Sequence, residues 1–497
     1  MRSRINYKTD VIFFFVLLII LIMSAGGHIV QGDAETMFRV TQNLLNGSGI
    51  SVGKESFIFP GQPAPLLPAK DVEVITTSAV PGLGGKTYSK YGMGQSLLAM
   101  PLYFLGDWLE TIGLGRNRMD IDGWSSRLWV SMLNPIALAG CGWLMFVMGG
   151  EFGYSKRTSL WVSVAALFST MMWPYVKEFY PQPTVGFFLL LAVFAAYRWK
   201  ISRNSVWCWV LSGSLGFMIM IRLSSAIVLV PFVVYLFSIS PGSKKWRWIG
   251  RLFLGIGLGL FWTALYNQVR FGSFLETGYH EAVWDNPFFL GMYGLLFSPG
   301  KGIFLYAPLT ILSGIGLWML ARQYKAESLL FSGISLTLLV FYAPYRFWTG
   351  GFNWGPRFLL PIIPLLILPL GGLLEDNVII GAKTMFIILF CFGFFVQVPA
   401  ILVDHSRYMF QIIEEDSSVT ISDTVVDPNH SPIPKQWSTA IDLIRDYLQP
   451  GTRKLIIQQR NRIKYSAPNI QNGAAILISD FIRRNTLDFW WLNLAAW

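Results

Sequence analysis

The chain has 497 residues, 53% of them apolar and 13% charged, with 39 Lys+Arg against 28 Asp+Glu and a formal net charge of +11. Soluble globular domains carry about 25% charged residues. The low charge, joined to apolar runs that recur from residue 11 to residue 400, excludes an ordinary soluble enzyme and predicts an all-α polytopic membrane protein. Cys141, Cys208 and Cys391 lie singly inside apolar runs, which excludes a disulfide framework and a cysteine zinc site.

Residues 11–26, preceded by Arg2, Arg4 and Lys8, read as a signal peptide or a first transmembrane helix, and the many later spans favour the helix. Further apolar segments run at 126–148, 160–176, 183–199, 206–221, 224–239, 250–267, 302–320, 328–345, 358–374 and 381–400, which makes about eleven spans in all. The stretch 94–114 is apolar too but carries Pro101, Asp107 and Glu110. Leaving it out as a crossing puts Lys156/Arg157, Arg198/Lys200/Arg203, Lys244/Lys245/Arg247/Arg251, Arg322/Lys325 and Lys383 on one side, as the positive-inside rule requires. It is therefore predicted to lie on or dip into the outer face.

This topology gives a transmembrane domain over 1–400, with outer loops at 27–125 and 268–301, and a C-terminal extracytoplasmic segment over 401–497. The last part of that segment, LDFWWLNLAAW after Arg483/Arg484, reads as an interfacial anchor or as a helix packed on its own domain. The tail holds ten basic and ten acidic residues and is expected to be an acceptor-side or capping element. No inverted repeat of the transporter kind is visible.

Within the first outer loop, HIVQGDAETMFRVTQNLLNGSG (28–49) spaces Met37, Val40, Leu44 and Leu45 as one face of an amphipathic juxtamembrane helix, with Arg39, Gln42, Asn43 and Asn46 opposite. Asp33 stands where an N-cap belongs, and Glu35 suits the helix dipole. Alternatively, the same two carboxylates face a cavity, where they can take a proton from a hydroxyl or hold a divalent cation. The loop at 267–302 concentrates Arg270, Glu276, Tyr279, His280, Glu281, Trp284, Asp285 and Lys301 without metal-ligand spacing. Its Ser298-Pro299-Gly300-Lys301-Gly302 run lacks the full phosphate-loop pattern, which argues against an ATP site. YRFWTGGFNWGPRFLLP (345–361) puts Arg346, Trp348, Trp354 and Arg357 at a membrane edge, either as an aromatic belt with snorkelling arginines or as a clamp for an anionic headgroup and a sugar ring. Arg222 is a turn residue or an intramembrane charge facing a cavity. WPYVKEFYPQP (173–183) reads as a solvated turn carrying Lys177 and Glu178.

Together these stretches resemble the GT-C superfamily of membrane glycosyltransferases, which includes protein O-mannosyltransferases and lipid A aminoarabinose transferases. The resemblance rests on GDAE (32–35) with NLLNGSGIS (43–51), KYGMGQSLLAMPLYFLG (90–106), NQVRFGSFLETGY (267–279), GLLFSPGKGIFLYAP (294–308) and GGFNWGPRFLLPIIP (350–364), in order over about residues 10–400. It implies a GT-C fold, a polyprenyl-phosphate sugar as donor, a hydroxyl acceptor on a glycan, lipid or protein, and an active face outside a bacterial inner or plasma membrane. It also implies a general base in the first outer loop, which maps onto Asp33 with Glu35 as helper or metal ligand, and a further acid in the second outer turn, Glu178. Ala34 separates two acids that are commonly adjacent in the superfamily, so the choice of base stays open. No cofactor is called for beyond that optional divalent cation.

A leaving polyprenyl phosphate needs no protonation but gains charge, so cations must meet it. Arg270, Lys301, Arg346, Arg357 and Arg222 are the candidates, and Trp348, Trp354, Glu276, Tyr279 and His280 are candidates for the sugar or acceptor. One base and direct attack predict inversion at the anomeric carbon. The rival readings are a transporter or flippase of a lipid-linked glycan, and an O-antigen ligase or polymerase. Basic residues dispersed over the loops suit anionic membrane lipids and give no support for nucleic-acid binding.

Overall fold

Backbone groups in a hydrocarbon environment must pair within their own segment, so long apolar runs resolve into helices. The computed structural model describes residues 7–29, 32–52, 79–114, 123–239, 245–280, 283–351, 353–375, 381–405, 408, 421–448 and 487–491. Helix α1 (Tyr7–Met23) leads to α2 (Gly32–Leu45), a short antiparallel pair β1 (Ala79–Pro81) and β2 (Thr87–Ser89), and α3 (Gly94–Thr111). Next come α4 (Trp124–Ser131), α5 (Leu133–Glu151), α6 (Lys156–Phe168), α7 (Gln182–Ser202), α8 (Ser205–Ile221), α9 (Leu229–Ile239) and α10 (Lys245–Phe271). The second half holds α11 (Phe288–Phe297), α12 (Ile303–Tyr306), α13 (Ser313–Ala321), α14 (Lys325–Tyr342), α15 (Ile363–Ile367), α16 (Gly371–Glu375) and α17 (Ala382–Leu402), then α18 (Ile421–Val426) and α19 (Pro432–Leu448).

Among the described residues, six helices are long and apolar enough to cross a membrane: Trp124–Glu151, Gln182–Ser202, Gly250–Phe271, Lys325–Tyr342, Arg357–Glu375 and Ala382–Leu402. Shorter apolar helices, among them Asp10–Met23, Ser205–Ile221 and Leu223–Ile239, pack beside them. The run expected at 160–176 gives only the 13-residue α6, which stops before Ser169. Helix α1 packs on α5 and buries Leu17 and Leu21 in the main core, so this segment belongs to the folded bundle. Large apolar side chains face outward on α1 (Ile12, Phe15, Ile19), α10 (Phe253, Leu258, Phe261) and α17 (Ile387, Ile388, Phe395), a surface suited to lipid.

Small residues let α8 and α10 touch backbone to backbone. A Cβ on Gly216 would stand 2.1 Å from the Gly255 carbonyl oxygen, and the Ser212 hydroxyl donates to the Arg251 and Leu252 carbonyls. One end of the bundle is tied by Lys200 and the Tyr235 hydroxyl, both 2.7 Å from the buried Glu327 carboxylate, and by the Arg198–Glu151 pair. The other end gathers α2, α3, the 173–181 turn and the segments around 270–280 and 345–358.

Candidate functional site

Helix α2 packs on α3 with reciprocal side-chain bonds. The Thr41 hydroxyl donates to the Ser96 carbonyl at 3.1 Å, and the Ser96 hydroxyl to the Met37 carbonyl at 2.9 Å. Its buried face is Ala34, Met37, Phe38, Val40 and Thr41, and it also includes Glu35 and Arg39. Asp33 lies inside the first helical turn, two residues later than an N-cap would stand.

The two acids of this helix have different fates. Glu35 is fully buried and takes a bond from Arg39 Nε at 2.9 Å, while Arg127 holds both of its oxygens through Nη1 and Nη2. Burial works to raise the Glu35 pKa, but the charges and hydrogen bonds of the two arginines outweigh it and hold the carboxyl below its ordinary range. Arg127 also lies 4.3 Å over the Phe38 ring. Asp33 remains 22% exposed at its side chain. It faces Arg357 Nη1 at 3.4 Å and takes a hydrogen bond from Tyr91.

Arg357 organises the cleft. Its guanidinium lies 4.9 Å over the Tyr180 ring and 5.1 Å from the Phe358 ring. Arg222 approaches Phe358 at 4.8 Å, so the two arginines stand against one aromatic ring. Tyr342 stacks on Phe358 with centroids 4.6 Å apart, and its hydroxyl meets Ser224 Oγ, which accepts from Arg222 Nε at 3.0 Å. Tyr279 meets Tyr91 edge to face at 6.2 Å. Lys90 Nζ stands 5.8 Å from the Tyr279 ring centroid and 6.0 Å from that of Tyr91. Burial and the Asp33 charge push the Tyr91 hydroxyl well up, and burial raises Tyr279 to about 12, so both remain donors at neutral pH. A narrow pocket lined by Val185, Leu189, Met218 and Leu338 adjoins Arg222 and Phe358.

Local sequence builds these placements. Gly92 and Gly94 let the start of α3 press on the end of α8, since a Cβ on Gly92 would meet the Met220 carbonyl at 2.2 Å; this sets the backbone next to Tyr91 against the last residues of α8. Gly350, Gly351 and Gly355 all have positive φ, from 67° to 82°, which lets the chain double back before Arg357.

Asp33, Arg357, Tyr279 and Arg222 therefore share one cleft, and the other predicted residues do not line it in the same way. Arg270 is buried behind it and spends its guanidinium on the Ser89 and Tyr91 carbonyls and on Asn267 Oδ1, so it holds the segment that carries Tyr91. Lys301 Nζ donates to the Gly351 and Asn353 carbonyls; burial first, and the nearby Arg357 charge second, push its pKa well down. Trp354 is buried with its indole N–H on Gln397 Oε1 at 2.9 Å, and Trp348 packs on Gly294. Arg346 pairs with Asp285 at the exposed surface, and Glu276 and His280 lie 3.9 Å apart in an exposed loop. Glu178 is buried 4.0 Å from His405 Nε2, on the turn that presents Tyr180. The expected solvated turn is thus an interior one, with Lys177 and Glu178 2% and 5% exposed.

Sequence reading did not single out Tyr91, Tyr180, Phe358, Lys90 or Arg127, and it set Arg39 on the polar face of its helix, where the structure buries it against Glu35. The stretch KYG was visible as part of the resemblance, but nothing local distinguishes Arg127 from a loop arginine. Among the described residues no group of three or more His, Cys, Asp or Glu side chains is placed to hold a metal ion.

No known protein-family model matches the chain, and no curated protein matches it in sequence. In three dimensions it is similar to ArnT from Cupriavidus metallidurans, solved bound to undecaprenyl phosphate, with a TM-score of 0.50 and 13% identity over 96% of this chain and 78% of that one. At that identity the likeness speaks to the fold alone: this chain is an all-α bundle, with several helices long and apolar enough to cross a membrane, similar in fold to that structure.

Proposed function

We propose that this chain is a membrane glycosyltransferase that moves a sugar from a polyprenyl-phosphate donor to an acceptor hydroxyl, with Asp33 as general base. One observation carries the reading: Asp33 is a partly exposed carboxylate in a cleft that also holds Arg357 and Arg222, with Lys90 at its aromatic edge. Both oxygens of Glu35 are committed to arginines, which leaves Asp33 as the acid of the pair with capacity to take a proton.

In this scheme the acceptor oxygen attacks the anomeric carbon while its proton passes to an Asp33 oxygen. The bond from the anomeric carbon to the phosphate oxygen breaks, and the electron pair leaves with the phosphate. Arginine forks match phosphate oxygens in pairs, so Arg357 and Arg222 meet the charge that develops there, with Lys90 as a further cation. Tyr91 and Tyr279 supply hydroxyl donors and ring edges for the sugar. Single displacement gives inversion. Undecaprenyl phosphate in ArnT, a chain of like fold, supports a polyprenyl phosphate as the lipid carrier.

The test is transfer from a panel of radiolabelled polyprenyl-phosphate sugars by purified wild type beside Asp33→Asn, with the product anomer read by NMR. Consumption of one donor by the wild type, its loss in the variant and an inverted product are expected. Transfer from no donor would favour a transporter of lipid-linked glycans, and a retained anomer would sink the single-base mechanism.

A further inference from the structure

The segment 487–491 lies against the same end of the bundle, held by contacts that span the whole chain. Asp488 N–H donates to the Leu402 carbonyl at 2.9 Å and Trp490 N–H to the Ala25 carbonyl at 3.1 Å. The indoles of Trp490 and Trp491 donate to the Ile22 and Met23 carbonyls at 2.8 and 2.7 Å, which satisfies the C-terminal end of α1. Two glycines make room for it. A Cβ on Gly27, whose φ is +73°, would stand 2.3 Å from Trp490 Cβ, and one on Gly26 would stand 3.1 Å from Asp488 Oδ1.

The centre of this strap is a buried ion cluster. Asp488 Oδ1 is 2.7 Å from His28 Nε2 and Oδ2 is 3.1 Å from Lys177 Nζ, with Asp488 and Lys177 side chains 0% and 1% exposed. Lys177 Nζ also donates to the Asp488 carbonyl and lies 4.7 Å from the Phe489 ring centroid. A charge so buried is tolerated only when paired, and removal of one partner leaves the other uncompensated. Lys177 lies in the middle of the 173–181 turn, three residues before Tyr180, and Tyr180 is the ring under Arg357. The same turn is tied on its far side, where the Tyr175 hydroxyl donates to the Trp354 carbonyl at 3.2 Å.

We propose that Asp488 is a positioning residue, which clamps the 173–181 turn through Lys177 so that Tyr180 holds the Arg357 guanidinium in register with Asp33. This rests on the transfer reading above for its catalytic consequence, but the clamp itself is a property of the fold. A displacement of about 1 Å in a site of this kind costs about 10²-fold in rate.

The experiment compares full-length wild type, Asp488→Asn, the double variant Lys177→Met/Asp488→Leu and Trp491→Phe, by kcat and KM for the donor and by hydrogen–deuterium exchange over residues 173–181. Asp488→Asn keeps the shape of the strap and is expected to lower kcat tenfold or more per folded molecule, and to raise exchange in the turn. The double variant, which removes the pair altogether, should likewise lower kcat and raise exchange in the turn, so that the loss follows the clamp and not a stranded buried charge. Trp491→Phe, which keeps the cluster, should match wild type in both readouts. Unchanged kcat and unchanged exchange in Asp488→Asn overturn the proposal with the transfer reading intact, as does an equal loss in all three variants that follows thermal stability alone. If the wild type transfers from no donor, the transfer reading fails and exchange decides the clamp: a rise in the turn upholds it, no change sinks it.

Discussion

Arg357 Nη1 stands 3.4 Å from Asp33 Oδ2 although 324 positions separate the two residues. The pair joins the first turn of α2 to the doubled-back segment before α15. It leaves the Asp33 carboxylate polarised toward a cleft, whereas Glu35 two residues on is sealed beneath the helix.

Asp33→Asn is isosteric and leaves the helix with a residue that suits its first turn. It should lower kcat by about 10²–10⁴-fold, the range for loss of a general base, with little change in thermal stability. Equal transfer rates for the two proteins at saturating donor would remove Asp33 from the base role.

Arg357→Lys keeps the positive charge but loses the planar fork and the stack on Tyr180. Loss of one preorganised donor to developing charge costs about 10²–10³-fold in kcat. The variant should therefore fall well below wild type, while Arg346→Lys, at an exposed pair with Asp285, should not. Side-by-side donor titrations check this, and equal losses at the two positions would count against Arg357.

Glu35→Gln breaks a buried network and leaves Arg127 and Arg39 without their shared anion. A loss of about 3–5 kcal/mol in stability is expected. The sign of the pH effect follows from the lowered folded pKa: stabilisation by Glu35 is present above its ordinary value of 4.5 and is lost as pH falls through the folded value. Unfolding of wild type and variant in detergent between neutral pH and pH below 4.5 should converge at the acid end; a constant gap would contradict it.

Gly216→Val forces a side chain into the closest approach of α8 and α10, where even a Cβ would stand 2.1 Å from the Gly255 carbonyl oxygen. Overpacking of this kind costs about 1–3 kcal/mol. Gly213, one turn earlier on α8 with nothing within 4 Å of its Cβ position, should accept the same change, and melting of both variants in detergent distinguishes the sites.

The architecture was legible because hydropathy acts locally. A run of apolar residues long enough to span lipid has few backbone options, and 381–400 or 183–199 announces itself without reference to any neighbour. Segments 160–176 and 302–320 were less legible, since packing inside the bundle breaks helices that composition alone would continue: α6 ends before Ser169, and Pro308 follows the four-residue α12.

By itself the sequence determined a basic, many-helix membrane chain, an acid-bearing amphipathic helix after the first span, and the glycine-rich segment before Arg357. Its limit was the choice among like residues. Asp33 and Glu35 differ because Arg127, 92 positions from Glu35, closes over one carboxylate. Arg357 and Arg346 differ because one lies against Tyr180 and the other pairs with Asp285 at the surface. Lys177 and Asp488, 311 residues apart, looked like members of a turn and a tail until folding buried them together. Charge pairing in a low-dielectric interior depends on distances of a few ångströms between chain segments that share no local pattern, so only the tertiary structure decided which charges face the cleft and which hold it in place.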